Sequence, residues 1–190
     1  ALADFAIRHD LILISDEVYS ELTYEGGRFS MAAIERLRDR LIFLNGFSKA
    51  WSMTGFRLGY ACAPAPLTDA MMKIHQFGMM CASSTAQVAG LEALTHGHAD
   101  IVEMRDSYHL RRNFIVASLN EMGLDCFMPR GAFYVFPSIQ STGLTSQEFA
   151  LRLLNECNVA CVPGTAFGAC GAGFLRCAYA TGMDQLKEAM

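Results

Sequence analysis

The chain is expected to fold as an α/β protein, and three observations predict it. Short apolar runs without polar alternation, Leu11-Ile12-Leu13-Ile14, Leu41-Ile42-Phe43-Leu44 and Leu58-Gly59-Tyr60-Ala61-Cys62-Ala63, have the length and composition of parallel strands buried on both faces. Segments of helical spacing alternate with these runs, the rhythm of βαβ units in which helices cover a mostly parallel sheet. The composition, 52% hydrophobic with only 18% charged residues over 190 positions, requires most of the chain to be buried.

Taken in order, residues 2–9 read as the last turns of a helix, with Leu2, Phe5 and Ala6 at helical spacing before the Leu11 strand. Residues 31–38 read as a crossover helix, 41–45 as a parallel strand and 58–63 as another, closed by Pro64 and Pro66. In 67–77, Leu67, Ala70, Met71 and Ile74 recur at three or four, so the segment reads as an amphipathic helix whose methionines fill the core. Ser83-Ser84-Thr85 caps a helix over 86–95 that ends at Gly97. Asp100 and Glu103 have capping-box spacing, and Ile101, Met104, Tyr108, Ile115, Leu119 and Met122 mark one face of a long helix stopping at Gly123. The remainder reads as a small α+β domain: strands at 133–136, 159–162 and 174–179, and a helix from Thr145 capped by Glu148. The expected domains are 1–99 and 100–190.

A net charge of -4 gives no support for binding nucleic acid, and Arg111-Arg112 reads as a solvated helix face. No apolar run reaches membrane-spanning length. Seven cysteines without a C-x-x-C pair read as free thiols of a cytoplasmic protein, and the five histidines lack metal-ligand spacing.

Chemistry concentrates around Lys49, in a glycine-punctuated turn where the 41–44 strand runs out, the end at which open α/β sheets bind ligands. Ser48 and Arg57 flank it with a hydroxyl and a guanidinium suited to phosphate oxygens. Asp16 ends the 11–15 run, where its carboxylate can pair with a pyridinium, and the phenol of Tyr19 follows three positions on. An amine, a carboxylate and a phosphate anchor together are what pyridoxal 5'-phosphate requires. Each residue alone has an ordinary explanation. Lys49 can be a surface charge, Asp16 a cap, Tyr19 packing, Ser48 a partner for a local amide, and Arg57 or Arg176 one half of an ion pair. The ordered set outweighs them. Arg176 lies in an apolar strand, where an unpaired guanidinium is costly to bury and calls for an anion.

The strings Ser15-Asp16-Glu17-Val18-Tyr19, Asn45-Gly46-Phe47-Ser48-Lys49, Thr54-Gly55-Phe56-Arg57-Leu58-Gly59-Tyr60, Gly131-Ala132-Phe133-Tyr134-Val135-Phe136-Pro137, Val162-Pro163-Gly164-Thr165-Ala166-Phe167-Gly168 and Gly173-Phe174-Leu175-Arg176 resemble the class I/II aminotransferases of the fold-type I pyridoxal phosphate enzymes. The resemblance runs along nearly the whole chain and covers the carboxyl-terminal half of such a protein. It implies part of a large cofactor domain, a linking helix and a small carboxyl-terminal domain. It also implies that Lys49 is the catalytic amine, with Asp16, Tyr19, Ser48 and Arg57 on the cofactor and Arg176 on the substrate α-carboxylate. The implied reaction passes an amino group from an amino acid to a 2-oxo acid in a homodimer, and the isolated segment is expected to be inactive because other cofactor contacts precede Ala1. Dicarboxylate-specific relatives usually meet the distal carboxylate with an arginine, in one subgroup near the segment matching Gln76-Phe77-Gly78-Met79-Met80; its absence here points to an apolar, aromatic or small substrate side chain unless the preceding half supplies the contact. Two alternatives stay open: a carbon–sulfur β-lyase with the same lysine, and a non-catalytic sensor domain that kept the fold.

Overall fold

The computed structural model describes residues 1–190, and the chain divides into two compact units, Ala1–Glu103 and Met104–Met190. The first opens with helix α1 (Leu2–Arg8). Its inward face is Ala3 and Ala6, packed with Leu37 and Leu41, whereas Leu2 and Phe5 are exposed. The small residues allow close approach to the Leu37 turn, so the face differs from the expected one.

Strand β1 (Leu13–Asp16) pairs in parallel with β2 (Leu41–Gly46), setting Leu13 opposite Leu41 and Asp16 opposite Leu44. The expected burial of this run on both faces is not observed: β1 is an edge strand, and Ile12 and Ile14 are exposed while Leu13 packs on the α1 cluster. Between the strands the expected helix over 31–38 is instead two 3-10 turns, Met31–Ala33 and Glu35–Leu37. Ile34 between them is extended (φ -92°, ψ 97°), and its side chain packs against the α1 cluster; a continuous α-helix would forgo that conformation.

Beyond β2 come the one-turn helix α2 (Phe47–Ala50), a 3-10 turn at Thr54–Phe56, and β3 (Gly59–Cys62). The α/β class holds, but β3 runs antiparallel to β2, with Gly46 opposite Gly59, where a parallel strand was expected. The link contains no helix long enough to carry the chain back along the sheet, so it re-enters from the end it left. Helix α3 (Ala65–Gly78) buries none of its residues; Ile74 is 77% exposed and Met71 only partly covered, so this apolar face is not core within the chain. Helix α4 (Ser84–His96) starts just after Ser83, which makes no side-chain cap bond, and ends before Gly97.

Helix α5 (His98–Glu121) begins two residues before Asp100, which therefore lies in its first turn rather than at its cap. Ile101, Ile115 and Leu119 of its expected face are buried, while Met122 is exposed. Arg112 is a correction: only 2% exposed, it donates from Nη1 to the Pro129 carbonyl (2.8 Å) and from Nε and Nη2 to Asn113 Oδ1. Its fork is satisfied by these two carbonyl oxygens, while the neighbouring Arg111 lies 5.3 Å from the Tyr108 ring centroid. No helix is long and apolar enough to cross a membrane.

In the second unit, β4 (Tyr134–Val135), β5 (Val162–Pro163) and β6 (Leu175–Ala178) form an antiparallel sheet in the order β4-β6-β5. Helix α6 (Ser146–Cys157) carries the expected capping box, in which Thr145 Oγ accepts from Glu148 N and Glu148 Oε2 accepts from Thr145 N. Its Ala150 packs with Ile139 and Leu175, and Cys161 and Cys177 border that core. Helix α7 (Met183–Ala189) closes the unit.

Burial pushes the Cys177 thiol from its ordinary 9.0 up to about 12. Cys177 is therefore expected to resist iodoacetamide at pH 8 while exposed Cys62 and Cys170 react, as peptide mapping after timed alkylation will show. Equal rates at the three would contradict this packing. The sign for stability follows: the unfolded thiol ionises near 9.0 and the folded one only near 12, so this group's contribution is intact below pH 9 and lost between those values.

Candidate active site

The turn holding Lys49 is built by its apolar neighbours. In α2 the residues three apart, Phe47 and Ala50, are buried, which leaves Ser48 and Lys49 on the less covered side. The Phe47 ring packs against Trp51 (5.0 Å between centroids) and Tyr60 (6.0 Å), and Trp51 Nε1 donates to the Ala93 carbonyl (3.1 Å). Ser52 (φ 52°) and Arg57 (φ 53°) both take left-handed backbone and bracket the following bend.

Asp16, Ser48 and Arg57 line one cavity of about 330 Å³ at the ends of β1 and β2, together with Val18, Asn45, Gly46 and Gly59. The cavity thus has a carboxylate, a hydroxyl and a guanidinium on its rim. Asp16 Oδ1 accepts from the Val18 amide (3.2 Å), and Arg57 Nη1 donates to the Thr54 carbonyl (2.9 Å), so both side chains are tethered locally while facing the hollow. Tyr19 and Lys49 meet each other: Lys49 Nζ lies 5.7 Å from the centroid of the Tyr19 ring, within cation–π range. Neither is among the residues lining the cavity, but Lys49 directly follows Ser48, which is. Glu17 binds this region together, accepting from Ser15 Oγ and from the Met31 amide, both at 2.9 Å.

Asn45 and Val18 were given no role by sequence reasoning. Asn45 had a signal, as the first polar residue after the apolar 41–44 run; its Oδ1 accepts from the Gly46 amide (2.7 Å). A larger cavity of about 580 Å³ lies in the second unit among Ile115, Leu119, Phe149, Leu153 and Cys177. Its walls are mainly hydrocarbon and thiol, and although Thr181 and Glu188 reach it no lysine or arginine does, so the smaller cavity is the candidate.

Arg176 belongs to the second unit. Its guanidinium carbon lies 4.7 Å from the Tyr134 ring centroid and 4.4 Å from that of Phe167, and no carboxylate of the chain pairs with it. Within these 190 residues its guanidinium is held by rings rather than by a carboxylate.

The fold and the grouping at the end of β2 define a mixed α/β protein with a polar hollow beside a lysine-bearing turn. The sequence profile described as "Aminotransferase class I and II" matches residues 1–190, and the chain belongs to that family. The Bacillus subtilis (strain 168) protein YugH is 52% identical over 189 residues, which cover 100% of this chain and 49% of YugH. The aspartate aminotransferase of Pyrococcus abyssi is 45% identical over 192 residues, covering 100% of this chain and 49% of that protein. Among solved structures, the aromatic aminotransferase from Pyrococcus horikoshii OT3 superposes with a TM-score of 0.94 at 43% identity, over 99% of this chain and 51% of that one. The chain thus spans about half the length of the curated relatives it matches.

Proposed function

We propose that the full-length protein is a pyridoxal 5'-phosphate-dependent aminotransferase that moves an amino group between an amino acid and a 2-oxo acid. The observation carrying this reading is the hollow shared by Asp16, Ser48 and Arg57 next to the Lys49 turn. The donor set fits the cofactor: a carboxylate for a pyridine nitrogen, a hydroxyl and guanidinium for a phosphate, and an amine for an aldehyde. When bound, pyridoxal 5'-phosphate supplies a ring that withdraws electrons from the substrate Cα–H bond. Lys49 Nζ is assigned to hold the cofactor and to move the proton of the substrate Cα. Asp16 keeps a proton on the pyridine nitrogen, Tyr19 offers its phenol to the ring oxygen, and Ser48 with Arg57 grips the phosphate. Arg176 binds the substrate α-carboxylate bidentately. Family membership supports extending the reading to a cytoplasmic homodimer, with no metal, nucleic acid or membrane among its partners. The stretch Gln76 to Met80 carries no cation, which favours a substrate with an apolar, aromatic or small side chain.

The test is covalent. Full-length protein incubated with pyridoxal 5'-phosphate and reduced with borohydride is expected to carry a phosphopyridoxyl group on the Lys49 peptide. Label on Lys73 or Lys187 alone, or none, would overturn the assignment and favour the non-catalytic sensor reading. Oxo-acid formation that persists without an amino acceptor would favour the β-lyase.

A further inference from the structure

We infer that Tyr134 and Phe167 are positioning residues that fix the guanidinium of Arg176 in the orientation needed to receive one carboxylate; this rests on the reading of Arg176 as the carboxylate-binding group. The argument starts from strand alternation. Tyr134 is paired with Ala178 and Ser138 with Phe174, so the register between them sets Phe136 opposite Arg176. Side chains alternate, so Tyr134, Phe136, Phe174 and Arg176 share one face of the sheet, and the intervening Val135, Leu175 and Cys177 turn to the other. Val135 and Leu175 are each 2% exposed, so that second face is the core.

The first face therefore presents several aromatic rings and a single cation. The Phe136 ring stacks on Phe174 (5.5 Å, 16°) and meets Phe167 edge-on (6.1 Å, 71°). Tyr134 is braced by Phe133 (4.8 Å), which packs against Tyr108 (5.5 Å). Each ring over which Arg176 lies is thus backed by another ring. Phe136 and Phe167 remain 39% and 49% exposed, so this ring-lined face is open in the chain.

An arginine with no acidic partner on the chain would otherwise sample many rotamers and lose that freedom on binding an anion. Ring faces at 4.4 and 4.7 Å attract the delocalised cation without using its N–H groups, so the fork stays available for a bidentate acceptor. The arrangement orders the side chain before the ligand arrives.

The experiment uses the full-length protein and two unreactive carboxylates, maleate and 3-phenylpropionate, titrated calorimetrically against the parent, Arg176→Lys, Phe167→Leu, Tyr134→Leu and Phe167→Tyr. Phe167→Leu and Tyr134→Leu are each expected to weaken binding about ten-fold, and Phe167→Tyr, which keeps a ring, to bind like the parent. In turnover assays the loss is expected in KM for amino acids, with kcat changed by less than about two-fold and 2-phenylethylamine, which lacks the carboxylate, unaffected. Variants are compared only where their thermal melts match the parent, and the two leucine substitutions lie on different elements, so one suffices if the other fails to fold. If Arg176→Lys weakens binding while both leucine variants bind normally, the positioning role is overturned and the assignment of Arg176 survives. If Arg176→Lys itself binds normally, both are overturned.

Discussion

Replacing Lys49 with alanine in the full-length protein is expected to lower transamination by at least about 10⁴-fold, the upper end of what losing a positioned proton-transfer group costs. The loss follows from the reading in which one amine both holds the cofactor and moves the substrate proton, so no neighbour can substitute. The fold is expected to survive. Phe47 and Ala50 carry the packing of this turn, Lys49 lies on its less covered side, and alanine is a favourable residue in a helical turn. Steady-state rates and thermal melts measured together separate the two effects. Lys73→Ala and Lys187→Ala change exposed residues and are expected to keep parental rates. Turnover by Lys49→Ala comparable to the parent would end the aminotransferase proposal.

Gly164→Ala is expected to lower stability by about 3 kcal/mol or more, the upper range for forcing atoms into packed structure. A Cβ on Gly164 would stand 2.2 Å from the Gly171 carbonyl oxygen and 2.8 Å from that of Phe174. Those atoms are main chain. Gly164 N donates to the Phe174 carbonyl (2.8 Å), so relief would require breaking the bond that ties the loop to β6. Gly78→Ala, where nothing lies within 4 Å of the added carbon, is the control and is expected to change little. Chemical denaturation of the three proteins tests this, and equal midpoints for Gly164→Ala and the parent would contradict the geometry.

Much of the molecule was legible because the relevant physics is local. Unbroken apolar runs marked the strands, and the lysine turn was visible because Asn45 and Gly46 interrupt one such run just before it. The Thr145–Glu148 cap needs only two residues three apart, and it formed as read. Strand direction is different: periodicity in 58–63 is the same whichever way β3 runs, and only the shortness of the preceding link decides it. The 31–38 helix is interrupted at Ile34, whose extended backbone sets its side chain against the α1 cluster, a long-range contact that helical spacing does not show. Burial of Arg112 depended on the Pro129 carbonyl, seventeen residues on, which no helical spacing reveals. The rings over which Arg176 lies were equally hidden, since they depend on the register between β4 and β6 and on the turn that brings in Phe167.

Gly46 and Gly59 face each other across β2 and β3, and a Cβ on either would press on a main-chain oxygen, at 3.3 Å from Leu58 and 3.2 Å from Asn45. That wall of the hollow is accordingly shaped by hydrogen-bonded peptide units, which have no rotamers to change. Substitutions around the mouth can alter charge and reach while the mould behind them stays constant, so descendants of this sequence can diversify what they hold without first rebuilding where they hold it.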